Sequence, residues 1–129
     1  MAGEGNGTVI VPWYATGFRK ERFVAELNQA AAVALRYGAS SYAVYRSRDD
    51  LYRFQQLVHF ERYTDWERYW EGPEMIEFRA RHVGWYQVPV LYGWWDITAQ
   101  GQLDEDTEWV PAAAPAPNGH DRDPQVTEV

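Results

Sequence analysis

Arg79 and His82 stand three residues apart, on the same side of a helical pattern as Met75, Phe78 and Tyr86. A guanidinium on that apolar side has to be answered by a carboxylate or by an anion that arrives with a ligand. Asp96 and Glu61 are the structural alternatives for the carboxylate. The imidazole either sits as a cation near the helix C-terminus or moves a proton near neutral pH. Arg79, to hold a phenolate or carboxylate, and His82, to transfer the proton, are therefore the candidate catalytic residues. Just upstream, "TDWERYW" (64–70) brings Trp66, Tyr69 and Trp70 within an arc of roughly 100° and leaves Asp65, Glu67, Arg68 and Glu71 to the remaining sides. Such a stripe is either core or the wall of a site for a flat molecule. Gln56 breaks an otherwise apolar set, Tyr52, Phe54, Val58 and Phe60, and needs a hydrogen-bond partner from the protein or from a ligand. The candidate ligand-binding residues are Trp66, Trp70, Tyr69, Gln56 and Phe78.

Other chemistries find no footing. The 129-residue chain has no cysteine, which removes thiolate zinc sites, iron–sulfur ligation and thiol nucleophiles together. Its three histidines, His59, His82 and His120, lack metal-ligand spacing, so no metal is expected. No glycine-rich phosphate loop opens a helix, and no nucleophile elbow is present. The net charge of −7 is uneven: residues 101–129 hold seven acids against Arg122 alone, leaving the first hundred residues near neutral at −1. Without a basic stripe, nucleic acid is a poor partner. "MAGEGNGT" lacks the basic and apolar regions of a signal peptide, and no apolar run reaches the roughly 20 residues of a membrane span. With cysteine absent, the expectation is a cytoplasmic protein without a membrane partner.

The elements that must position these residues follow from periodicity. "TVIVPWYA" (8–15) predicts a strand in which Pro12 marks an edge or a bulge. Residues 18–37 predict a helix with Phe23, Leu27, Ala30, Ala31 and Ala34 inward and Gly38 as its stop. "SSYAVYRS" (40–47) and "LYRFQQLVHFE" (51–61) predict a hairpin, with Gln56 toward the helices and His59 on the other face. Thr64 and Glu67 form a capping box that starts a helix at Asp65, and Gly72-Pro73 interrupts it before a further segment running to about His82. "QVPVLYGWWDIT" (87–98) predicts a fourth strand. Residues 1–7 are expected to be a flexible N-terminus and 8–100 the folded domain. Residues 101–129 are expected to be a flexible acidic Pro/Ala-rich tail whose one aromatic is Trp109. The order β-α-β-β-α-β predicts an α+β, ferredoxin-like protomer: a four-stranded antiparallel sheet with helices on one face. A second copy is the simplest cover for the other face.

With that element order, a strand ending "HFE" (59–61) and a tryptophan opening the next helix (Trp66), residues 8–98 resemble the dimeric α/β-barrel superfamily and its antibiotic-biosynthesis-monooxygenase-like group. The resemblance implies a homodimer that joins two sheets, with a pocket between sheet and helices in each subunit. Members of the group include cofactor-free oxygenases of polyketide aromatics, haem-degrading enzymes, isomerases and proteins without known activity. Many carry a histidine after the helix tryptophan, where this chain has "WEGPEM" (70–75), and haem-degrading members pair it with an asparagine on the first strand, which "VIVPWYA" (9–15) lacks. The resemblance thus implies no haem and no other cofactor. It implies a homodimer that binds a hydrophobic, aromatic small molecule and oxygenates it by removing a proton and letting the anion reduce dioxygen. Two alternatives stand beside that reading. One is a non-enzymatic binding or accessory dimer, and the other an isomerase or cyclase in the same pocket.

Overall fold

The computed structural model describes residues 5–103. The chain divides after Trp95 into two units. Within the first run β1 (Gly7–Tyr14), α1 (Lys20–Ala32) with a 3₁₀ continuation Val33–Tyr37, β2 (Ser41–Arg46), β3 (Arg53–Phe60), α2 (Tyr63–Trp70), α3 (Pro73–Arg81) and β4 (Gly93–Trp95). Residues 96–103 hold no helix or strand, and the expected acidic tail from Asp104 onward, with Trp109 and His120, lies outside the described residues. Among the described residues no helix is long and apolar enough to cross a membrane.

The strands form one antiparallel sheet in the order β2-β3-β1-β4, the expected ferredoxin-like arrangement. Alternation sets its two faces. Val9, Val11 and Trp13 of β1 and Phe54, Gln56, Val58 and Phe60 of β3 are buried beneath the helices, as the period-two pattern of β3 predicts. From α1 come Phe23, Leu27, Ala31 and Ala34, and from α2 and α3 Trp66, Tyr69, Met75 and Phe78. Burying a large apolar side chain contributes about 1.5–3 kcal/mol, so this layer dominates the stability. The face away from the helices carries Thr8, Ile10, Ala43, Tyr45, Leu57, His59 and Trp95, by the pairing register. Tyr45 and Trp95 are 59% and 56% exposed there.

Helix ends explain the segmentation. Gly38 stops the first helix in the left-handed region, φ 103°, and the amides of Gly38 and Ala39 bond the carbonyls of Leu35 and Ala34. That pattern is a Schellman motif, and a Cβ at residue 38 would also stand 3.3 Å from the Asp65 carboxylate. Gly72 separates α2 from α3 where a Cβ would meet the Tyr37 hydroxyl at 2.7 Å, and Pro73 then occupies the first turn of α3.

Three expectations need correction. The capping box does not form: α2 begins at Tyr63, its cap is Arg62, and no side chain caps it. Starting two residues early places Thr64 inside the first turn. Asp65, expected on an outer side, is instead buried, paired with Arg68 at 3.1 Å and Arg62 at 3.4 Å. Second, β1 is an inner strand, so Pro12 marks no edge of the sheet. The Ala15 amide bonds Tyr52 beside β3, while the Tyr14 carbonyl accepts from Gln87 on the other side. By alternation the nitrogen of Pro12 therefore faces β4, where pairing covers only Thr8–Ile10. Third, the fourth strand is three residues rather than twelve. An isolated bridge, Ala15↔Tyr86, starts the return along β1, and that register would next set Pro12 opposite Pro89. Neither has an N–H to exchange, so the ladder breaks and resumes only at Gly93.

Candidate functional site

The α2 stripe is brought together as expected, and its rings gather partners from the returning chain. Trp66 stacks on Trp70 with centroids 5.1 Å apart and planes 24° from parallel. Tyr92 sets its edge against both, at 4.9 Å and 5.3 Å. Tyr63, one turn before Trp66, meets Trp94 of β4 at 5.2 Å. Trp66 is fully buried, yet its indole Nε1–H has no hydrogen-bond partner among the described residues. A buried donor left without an acceptor costs about 1–3 kcal/mol and asks for an explanation.

Gln56 finds its partners within the protein. The Trp13 Nε1–H, which can only donate, bonds the Gln56 Oε1 at 2.9 Å and so fixes the orientation of the amide. The Gln56 Nε2–H donates to the Tyr69 hydroxyl at 3.1 Å, which donates in turn to the Ala30 carbonyl at 2.8 Å. The small side chain of Ala30 is what lets a phenol reach the α1 backbone. Burial pushes the Tyr69 phenol far above its ordinary value, so it acts as a neutral donor. Burial also raises Tyr63, with Tyr92 beside it adding to the shift.

Arg79 closes the other side of Trp70. Its guanidinium lies 4.1 Å from the ring centroid and donates to the Trp70 carbonyl at 2.9 Å. Of the two structural alternatives, Asp96 and Glu61, Glu61 is not the partner: among the described residues Arg79 pairs with Glu71, at 4.0 Å and 67% exposed. The α2–α3 break allows this contact: the Glu71 and Gly72 amides take the Glu67 and Tyr69 carbonyls, and the Trp70 carbonyl accepts from Arg79.

His82 occupies a second cluster. Its Nδ1–H donates to the Phe78 carbonyl at 2.7 Å, and its ring lies between Phe78 and Trp85, both at 4.6 Å. Nε2 faces Glu26 of α1 at 3.6 Å. The imidazole thus caps α3, at its C-terminal end as the helix pattern predicts. Trp13 joins the clusters, touching Trp70 at 5.9 Å, Phe78 at 5.7 Å and Tyr86 at 5.1 Å. The sequence reading did not single out Trp13, Tyr63, Tyr92 or Trp94. Only Trp13 carried a usable signal, the alternation Val9, Val11, Trp13.

With fold and geometry in place, the molecule is a four-stranded ferredoxin-like α+β protein bearing an aromatic cluster between α2 and the sheet. No protein-family model matches the sequence, and no curated protein does. Solved structures do match it. A candidate antibiotic biosynthesis monooxygenase from Nitrosomonas europaea superposes with a TM-score of 0.65 at 18% identity, over 74% of this chain and 92% of that one. Another from Bordetella bronchiseptica gives 0.61 at 20% identity, over 78% and 100%. SnoaB, a cofactor-independent oxygenase from Streptomyces nogalater, gives 0.62 at 17% identity, over 78% and 99%. The chain has the fold of antibiotic-biosynthesis-monooxygenase-like proteins, and the resemblance read from its sequence holds at the level of fold.

Proposed function

We propose that the protein binds a planar, hydrophobic aromatic molecule that carries a hydrogen-bond acceptor, between α2 and the sheet. The observation that carries this reading is the unpartnered Trp66 Nε1–H within the rings of Trp70, Tyr92 and Tyr69. A ligand carbonyl would answer that donor, while the rings supply apolar walls. Arg79, Phe78 and Gln56 serve this site by fixing Trp70, Trp13 and Tyr69 in place.

The test compares 9-fluorenone with fluorene, which has the same shape without the carbonyl, by quenching of tryptophan fluorescence. Trp66→Phe should weaken fluorenone binding by roughly 3–10-fold, the net worth of one neutral hydrogen bond, and leave fluorene nearly unchanged. Equal loss for both ligands, or no binding of either by the parent protein, refutes the reading.

A second reading is oxygenation without a prosthetic group, supported by the likeness to a cofactor-independent oxygenase. An activated ring CH₂ would lose a proton, and the anion would react with dioxygen, leaving one oxygen as a ring ketone and the other as water. His82 is the proposed base for a substrate that reaches the second cluster, through its Nε2, which faces Glu26 at 3.6 Å and could pass the proton on to that carboxylate. Oxygen uptake with anthrone and no added cofactor tests it. Binding without uptake leaves the accessory-protein reading.

The protein is further proposed to act as a homodimer closed over the open sheet face. Among the positions that β1–β4 place there, Arg53 is the sole formal charge, so a second copy of this sparsely charged face fits it. Sedimentation as a monomer at micromolar concentration would end that proposal.

A further inference from the structure

The returning chain Gln87–Tyr92 ends in Tyr92, whose ring meets both Trp66 and Trp70, and it is fastened unevenly. At one end the Ala15↔Tyr86 bridge is held by the Thr16 amide on the Trp85 carbonyl and the Gln87 amide on the Tyr14 carbonyl, both 2.8 Å. At the other end the ladder resumes with Ile10↔Gly93. Between these points, among the described residues, no backbone hydrogen bond ties Val88–Tyr92 to β1.

The cause is local chemistry. Continuing the bridge register would make Pro12 and Pro89 a pair in which each residue donates its N–H to the other, and neither has one. The lengths also disagree: β1 places four residues between the two fastenings and the returning chain six. Within the longer stretch Val88 and Leu91 are 70% and 72% exposed. Only Val90 and Tyr92 turn partly inward, and Tyr92 rests on the two tryptophans.

We propose that Gln87–Tyr92 is a hinged cover on the aromatic site, with Tyr92 as its latch and the proline pair as the break that lets it lift. Lifting would bring the Trp66 Nε1–H within reach of an entering acceptor without unfolding the sheet. This inference rests on the binding reading, since it names how that site is opened, but its decisive test needs no ligand.

Exchange of indole Nε1–H protons with deuterium, followed by NMR on the full-length protein, reads the opening directly. The Trp66 proton should exchange well ahead of the β3 backbone amides and of the Trp13 proton, which is bonded to Gln56. Tyr92→Ala should speed Trp66 exchange by roughly tenfold or more while leaving Trp13 unchanged, because local opening and global unfolding are separate events. Pro12→Val, which supplies the N–H that β1 lacks on that side, should slow it. Stopped-flow entry of 9-fluorenone should follow the same order. Exchange of Trp66 only at the rate of the β3 amides, unmoved by either variant, would overturn the cover. If exchange responds as stated and fluorenone does not bind, the cover stands and the binding reading falls.

Discussion

The hydrogen-bonded line Trp13–Gln56–Tyr69–Ala30 makes a prediction that simple contact counting would get wrong. Gln56→Leu strands the Trp13 Nε1–H, at 1% exposure, and removes the bond accepted by Tyr69. An orphaned buried donor costs about 1–3 kcal/mol and a lost neutral bond about 1, so the substitution should cost about 2–4 kcal/mol. Tyr69→Phe leaves the Ala30 carbonyl satisfied, because the Val33 amide still donates to it. What remains is the orphaned Gln56 Nε2–H, at about 1–3 kcal/mol. In the double variant that amide is already gone. The pair should therefore cost no more than Gln56→Leu alone, a departure from additivity of about 1–3 kcal/mol. Urea unfolding of the four proteins, at constant m-value, measures the cycle. Additivity within about 0.5 kcal/mol would show that the line is not one cooperative unit and would refute the reasoning.

Arg79→Met should cost about 1–3 kcal/mol, the worth of its stack on Trp70 and its bond to the Trp70 carbonyl, because the exposed Glu71 is not stranded. Urea unfolding checks this, and a loss above about 4 kcal/mol would mean a buried carboxylate partner. The Tyr37 hydroxyl donates to Glu74 at 2.6 Å and holds that carboxyl below its ordinary 4.5, so the stabilisation is present above pH 4.5 and lost as pH falls through the lowered value. Tyr37→Phe should move the Glu74 titration upward by NMR; an unmoved midpoint would leave the lowering to the Glu74 backbone contact and Arg36. Leu57→Asp, on the open face of β3, should turn a sedimenting dimer into a folded monomer. A dimer of unchanged stability would place the interface elsewhere.

What the sequence made legible was whatever a single repeating pattern decides. The alternation of Phe54, Gln56, Val58 and Phe60 set the register of β3 and the direction of Gln56, and the arc of Trp66, Tyr69 and Trp70 set the inner side of α2. Pattern failed where two distant segments settle the outcome together. Thr64 and Glu67 fit a cap motif, but the helix starts earlier, with Tyr63 against Trp94 and the buried Asp65 carboxylate paired to the exposed Arg62 and Arg68. Residues 87–98 read as one strand because Pro89 alone does not end one; the fault needs its opposite number, Pro12, far away in the chain. Arg79 was legible as a charge in need of an answer. That the answer is a carbonyl and a ring on Trp70 depends on the angle between α2 and α3, which no spacing encodes.

The proline pair bears on more than access to the site. Where a returning chain leaves a strand unpaired, it uncovers backbone groups that could recruit an extended segment of another molecule, the route by which sheets grow into fibrils. Here the exposed stretch of β1 centres on Pro12, which has no hydrogen to offer a recruit, and the longer stretch opposite carries Pro89. An intruding strand would find a ladder missing its middle rung on both rails. A break that permits motion therefore also makes the opening sterile, and a chain with valine at both positions should be the more aggregation-prone when the cover lifts.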